Sequence, residues 1–307
     1  MSEIRNIAVI GGGFMGAGIA QVFVSFGYRV TVFEPVDAAR QSLRERVASN
    51  LRMLGRSASA AEEIVVTADL EEAVGAADYV TEAVPERLEL KQSIFADLER
   101  VAPETAILAS NTSVIPISRM TTGLETAHRM VGTHWWNPPY LVPLVEVVQA
   151  EKTDDVTLAR TMALLASVGK EPAHVKKDVP GFVANRLQHA LWREAIAMVA
   201  EGICDAATLD HCVKNSFGLR LAALGPLENA DMVGLDLTLD IHNTIIPELD
   251  RSAGPNPYLE EQVNAGRLGF KSGEGFRSWT EAEKQALHAE LAQHLLRSQR
   301  LRDEGRQ

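Results

Sequence analysis

His134 and Glu146 flank a proline-rich reversal, His134-Trp135-Trp136-Asn137-Pro138-Pro139 running on to Leu144-Val145-Glu146-Val147-Val148. A carboxylate inside an apolar β run is costly unless a partner compensates it, and His134 is the partner this reversal supplies. Imidazole, with an ordinary pKa of about 6.5, can take up a proton near neutral pH. A carboxylate on its far nitrogen fixes the tautomer and steadies the imidazolium that forms. The pair therefore suits removal of a hydroxyl proton, the step that must accompany departure of hydride from the same carbon. Of the eight histidines, only His134 has such company; the others read as structural or exposed.

A second constellation supplies the hydride acceptor. Asn6 to Glu34 reads as strand, tight turn, helix and strand around Gly11-x-Gly13-x-x-Gly16. Gly11 allows the turn, Gly13 lets a pyrophosphate approach the backbone, and Gly16 lets the helix lie close to the sheet. The helix opens at Phe14 and Met15 and aims its free N–H groups at the phosphates. Glu34 ends the second strand, about 18 residues beyond Gly16. There it accepts hydrogen bonds from the adenosine ribose and repels a 2′-phosphate, so the expected cofactor is NAD.

These residues need a scaffold of strand rims. Strands are expected at Ile7 to Ile10, 28–33, 64–67, 78–84, 106–109, 130–133, 144–148 and 171–175, with helices between most of them. That alternation predicts an α/β fold: a Rossmann-type doubly wound sheet with late antiparallel additions. Glu82 and Glu86 fall at the C-terminal rim of one strand, and Ser110-Asn111-Thr112-Ser113 at another, where open parallel sheets bind ligands. A helix after Glu86 is read with Leu90, Ile94 and Leu98 on its apolar face. Arg40, Arg44, Arg46 and Arg52 read as a solvated helix face. From Val179 the pattern turns helical, which divides the chain into a NAD-binding domain, 1–178, and an all-helical domain, 179–307. A helical domain with little core of its own is expected to complete it by forming a homodimer.

The chain has 307 residues, 46% hydrophobic and 23% charged, with a net charge of −11. This balance argues against nucleic acid or an anionic membrane as partner. No secretion signal or apolar run near 18 residues is evident. The two cysteines, Cys204 and Cys212, read as reduced core residues of a cytoplasmic protein, with no metal site expected.

The chain resembles the L-3-hydroxyacyl-CoA dehydrogenases over nearly its whole length. The motifs carrying the resemblance are GGGFMGAGIA, Glu34, TEAVPE (81–86), SNTS (110–113), the HWWNPP…PLVEVV pair, DVPGFVANR (178–186), GPLE (225–228) and GFKSGEGF (269–276). The resemblance implies an NAD-dependent oxidoreductase acting on CH–OH, and with it fatty acid metabolism. His134 is then the base and Glu146 its partner, and Ser113 and Asn185 donate hydrogen bonds to the substrate. Glu86, Asn111 and Asn137 lie near the cofactor or the catalytic pocket, which is expected between the domains.

Departures from the central family bear on the substrate. Trp135 and Trp136 stand where two phenylalanines are usual, and are expected to narrow the pocket. The helical segment that grips CoA in thioester-using members looks shorter by roughly two turns and lacks lysine. Residues 218–226 are closer to the branch with carnitine dehydrogenase and λ-crystallin/gulonate dehydrogenase; a further similar branch oxidises a pyridine carboxylate. Arg220 is then a candidate for a substrate carboxylate. The expected substrate is a small 3-hydroxy acid or a short 3-hydroxyacyl-CoA. The alternatives are an aromatic carboxylate alcohol or aldehyde, and a non-catalytic NAD-binding protein.

Overall fold

A computed structural model describes residues 3–305. Its elements run β1 (Asn6–Ile10), α1 (Phe14–Ser25), β2 (Arg29–Phe33), α2 (Asp37–Met53), β3 (Val65–Thr67), α3 (Leu70–Val74) and β4 (Tyr79–Glu82). They continue with α4 (Leu88–Val101), β5 (Ile107–Ser110), α5 (Ile117–Met120), β6 (Met130–Trp135), β7 (Leu144–Val148), α6 (Asp155–Ser167) and β8 (Glu171–Val175). The remainder is helical: α7 (Ala184–Ala200), α8 (Ala206–Lys214), α9 (Pro226–Val233), α10 (Leu235–Ile245), α11 (Pro257–Asn264) and α12 (Glu281–Gly305). The described residues fall into two compact units, 3–186 with 294–305, and 187–293.

The first unit is built on an eight-stranded sheet, β3-β2-β1-β4-β5-β6-β7-β8. Every neighbouring pair is parallel except β6 and β7. β1 explains the two-faced core. Its side chains alternate across the sheet, so Ile7 and Val9 join the apolar cluster that includes Phe23, Leu43 and Leu165. Ala8 and Ile10 join the opposite cluster, with Val74, Phe95 and Leu98. Apolar layers on both faces are what a parallel sheet requires, and they leave only the strand ends for ligands. Gly27, at φ 82°, ends α1 by letting its N–H reach Val24 O while Tyr28 N returns to Phe23 O.

Two helix readings shift. The buried residues of α4 are Lys91, Phe95 and Leu98, whereas Leu90 and Ile94 are only half-buried. Leu90 and Ile94 thus flank the core-facing stripe, whose first position is a lysine. The arginines of α2 are not all solvated: Arg44 Nε donates to Ile64 O at 2.9 Å, and Arg46 donates to Gly12 O at 2.6 Å.

In the second unit, Ala197 and Gln262 are the buried residues among those described. Cys204 is half-buried and Cys212 exposed, both as free thiols. They are therefore not core residues: Cys204 precedes α8, and Cys212 lies on α8, which buries none of its side chains. No described helix is long and apolar enough to cross a membrane.

Candidate active site

The glycine loop is shaped by three different constraints. Gly11 has φ 100°, and a Cβ there would stand 2.9 Å from Ala83 O. At Gly16 a Cβ would come within 1.8 Å of Gly11 O, so any side chain would push α1 off the loop. At Gly13 a Cβ would meet nothing within 4 Å. The protein itself tolerates a methyl group there, and the open space is the kind a phosphate occupies. Gly13 is also the N-cap of α1 without any side-chain cap. Its N–H and those of Phe14 and Met15 find no acceptor among the described residues, as an anion-binding helix start requires. These features fit a dinucleotide. Phe14 itself is exposed.

Glu34 holds this loop from the end of β2. Its Oε2 accepts from Gly12 N at 2.8 Å and its Oε1 from Val36 N at 2.9 Å. An ionised carboxylate has about four acceptor positions, so two remain for ribose hydroxyls. Arg46 secures the same residue through its carbonyl, Gly12 O.

The next two strand ends carry a buried charge network. Lys91, on α4, is fully buried, with Nζ 2.7 Å and 2.9 Å from the two oxygens of Glu82 and 3.2 Å from Glu86 Oε2. Ser110 Oγ donates to Glu82 Oε2 at 2.6 Å. Glu82, a rim carboxylate in the sequence, is thus fully buried and committed to structure. Glu86 Oε1 accepts from Thr112 Oγ1 and from the N–H groups of Ser113 (2.9 Å) and Val114 (3.1 Å). Burial raises its pKa, but Thr112, Lys91 and the two amides outweigh burial and leave it below the ordinary value. Glu86 therefore shapes the Ser113 turn as an anion. Asn111 Oδ1 accepts from Trp135 N at 3.0 Å, which ties the ends of β5 and β6.

β6 and β7 meet with His134 directly opposite Glu146. Both are buried, at 4% and 2% exposure, and His134 Nδ1 lies 2.7 Å from Glu146 Oε2. The other oxygen, Oε1, accepts from Val183 N at 2.9 Å and Ala184 N at 3.0 Å. Burial pushes the Glu146 carboxyl up, but His134 and the Ala184 and Val183 amides together hold it below its ordinary value. An ionised Glu146 accepts a hydrogen bond from Nδ1–H of His134, which fixes the tautomer with Nε2 unprotonated. Phe182, at φ 49°, makes the turn that presents Val183 and Ala184 to the carboxylate.

Asn185 lies one residue further, and its Nδ2 donates to Ser113 O at 3.1 Å. Ser113 Oγ has no partner among the described residues. The two positions are thus joined through backbone and amide. Asn137 is exposed, in a cis peptide with Pro138. The tryptophans separate, as alternation along β6 demands. Trp136 has its ring 5.2 Å from that of His134, whereas Trp135 is buried against Phe23 at 5.9 Å. Trp135 therefore does not narrow the space at His134. Arg220 belongs to the second unit, exposed and without an ion pair among the described residues.

Lys91 lies in no motif; Thr112 lies in SNTS and Val183 and Ala184 in DVPGFVANR, but neither motif announces the bonds to Glu86 and Glu146. The signal for Lys91 was a cation at the head of the stripe Lys91, Phe95, Leu98, where an apolar residue belongs.

Comparison with known proteins identifies the family. Residues 6–179 match the model of the 3-hydroxyacyl-CoA dehydrogenase NAD binding domain, and residues 181–279 that of the 3-hydroxyacyl-CoA dehydrogenase C-terminal domain. The matched residues end before α12. A 5-formyl-3-hydroxy-2-methylpyridine 4-carboxylate 5-dehydrogenase of Mesorhizobium japonicum is 38% identical, over 99% of this chain and 100% of its own. An L-carnitine dehydrogenase of Streptomyces griseus is 38% identical over 81% of this chain and 80% of its own. A solved structure of a 5-formyl-3-hydroxy-2-methylpyridine 4-carboxylic acid 5-dehydrogenase, described as an NAD+-dependent dismutase, superposes with a TM-score of 0.90 at 37% identity, covering 97% of this chain and 98% of that one. The chain belongs to the 3-hydroxyacyl-CoA dehydrogenase family and is an NAD-dependent oxidoreductase.

Proposed function

We propose that the enzyme oxidises the CH–OH carbon of a small substrate bearing a free carboxylate, with His134 as general base. The observation that carries this reading is the 2.7 Å contact between His134 Nδ1 and Glu146 Oε2, inside a sheet whose glycine loop fits a dinucleotide. Bound NAD supplies the hydride acceptor. His134 Nε2 takes the hydroxyl proton, and ionised Glu146 stabilises the imidazolium. Ser113 Oγ and Asn185 Nδ2 hold the substrate oxygen, Glu86 keeps the Ser113 turn in shape, and Arg220 pairs with the carboxylate. Asn111 and Asn137 border the cofactor side of the same pocket.

A second reading is an aromatic carboxylate bearing an alcohol or aldehyde. Trp136 beside His134 offers a ring on which such a substrate can stack, and the relative that aligns over 99% of this chain is named for a pyridine carboxylate. The test is NADH formation by the purified enzyme with L-carnitine, gulonate, pyridine carboxylates and short 3-hydroxyacyl-CoA thioesters side by side. Turnover on a free acid, lost in Arg220→Met, supports the proposal. Turnover on thioesters alone overturns it.

The helical unit supports a homodimer. Leu227, Met232, Leu235, Leu237, Leu239 and Ile241 of α9 and α10 are exposed, an apolar area of the kind that a second copy covers. Sedimentation of the purified chain at the monomer mass would rule this out.

A further inference from the structure

A cavity of ≈ 280 Å³ opens in the first unit between the C-terminal end of α1, the segment after α2, the β6–β7 loop, the start of β8 and the last turns of α12. Three cations line it: Arg56, Lys170 and Arg302, together with Gln21, Tyr140 and Gln299. No carboxylate lies within ion-pair distance of any of the three among the described residues, in a chain whose net charge is −11. Lys170 is 7% exposed and donates to the carbonyls of Pro139 and Val142, the latter at 2.9 Å. An ammonium has three donors, so one remains for the cavity. Arg302 reaches Leu141 O on the same loop at 3.4 Å. Burial, with Arg302 and Arg56 nearby, pushes Lys170 down to about 7. Lys170 is buried, Arg302 half-buried and Arg56 exposed, and a counter-ion at the cavity relieves the repulsion among the three.

We propose that this cavity is a binding site for a compact dianion, carrying either two carboxylates or a phosphate, distinct from the dinucleotide and His134 sites. Its ligand contacts Lys170 and the guanidiniums of Arg56 and Arg302. Arg302 lies on α12, beyond the residues that the family models match, so the site depends on the C-terminal extension. Lys170 and Arg302 grip the loop that joins His134 on β6 to Glu146 on β7, and Lys170 Nζ stands 5.3 Å from the centre of the Trp135 ring. A bound anion therefore bears on the loop between the two dyad residues.

The test uses the full-length enzyme with saturating NAD, which keeps its phosphate site filled. Melting temperature is followed against malonate and inorganic phosphate at constant ionic strength. A saturable rise of about 2–4 °C is expected for the anion that fits. Arg56→Gln is expected to weaken binding about tenfold, and Arg56→Gln/Arg302→Gln to abolish the rise while NADH formation persists. Lys170→Met provides a second check should the double variant loosen α12. Response to malonate alone assigns a dicarboxylate site, and response to phosphate alone a phosphate site. No rise with either anion, or an equal rise in wild type and all variants, overturns the proposal.

Discussion

Glu146 binds His134 and the start of α7 with the two oxygens of one carboxylate. Oε2 is 2.7 Å from His134 Nδ1, and Oε1 is 2.9 Å and 3.0 Å from the amides of Val183 and Ala184. The group that orients the base therefore also fixes the backbone that carries Asn185. Substitutions at Glu146 can separate these roles. In Glu146→Gln the amide oxygen can still accept from Val183 and Ala184, but its NH₂ then faces Nδ1 and drives the imidazole proton to Nε2. Turnover is expected to fall by about 10²–10⁴ with little change in melting temperature. Glu146→Ala is expected to lose both activity and about 1–3 kcal/mol of stability through unpaired amides. Steady-state rates and thermal melts of the two variants check this.

The acid limb of stability follows from the same carboxylate. Its folded-state pKa lies below the unfolded value of about 4.3. The stabilisation is thus complete above the unfolded value and is lost as pH falls through the folded one. The melting-temperature difference between wild type and Glu146→Ala should be constant from neutral pH down to about 5 and shrink below about 4. A difference that grows on acidification would contradict the assignment.

Two glycines of the dinucleotide loop should behave differently. Gly13→Ala adds a methyl group to open space, so the protein should melt normally while NAD affinity drops by about tenfold or more, roughly 1.4 kcal/mol. Gly16→Ala places Cβ 1.8 Å from Gly11 O and should lower both NAD affinity and stability. Calorimetric NAD titration beside thermal melts distinguishes the two.

Lys91→Met removes one partner of a fully buried ion pair and leaves Glu82 without its cation, with only Ser110 Oγ and Val84 N still donating to it. A loss of about 3–5 kcal/mol is expected, measured by urea unfolding. Replacing both, in Lys91→Met/Glu82→Gln, should recover part of it.

Much of the site was legible because its signals are local. Gly11, Gly13, Gly16 and Glu34 sit in one strand–turn–helix–strand run, where backbone demands dictate residue type. His134 and Glu146 were legible because an antiparallel reversal brings residues at matched distances from its turn face to face. Lys91 was not, since its partner Glu82 lies on a preceding strand and helix periodicity only marks the position as anomalous. The separate fates of Trp135 and Trp136 follow from strand alternation once β6 is known to extend to Trp135. The cationic cavity gathers Arg56, Lys170 and Arg302 from distant segments, and no spacing in the sequence announces it. The cysteines misled because composition ignores how little a helical unit of this kind buries.

The most direct test of the central claim is turnover of His134→Ala against wild type on a substrate that the wild type oxidises, with NAD affinity measured on both proteins. The account predicts a fall of about 10²–10⁴ in turnover with NAD affinity unchanged, because His134 serves as the base and takes no part in holding the dinucleotide. Wild-type turnover in the variant would contradict it.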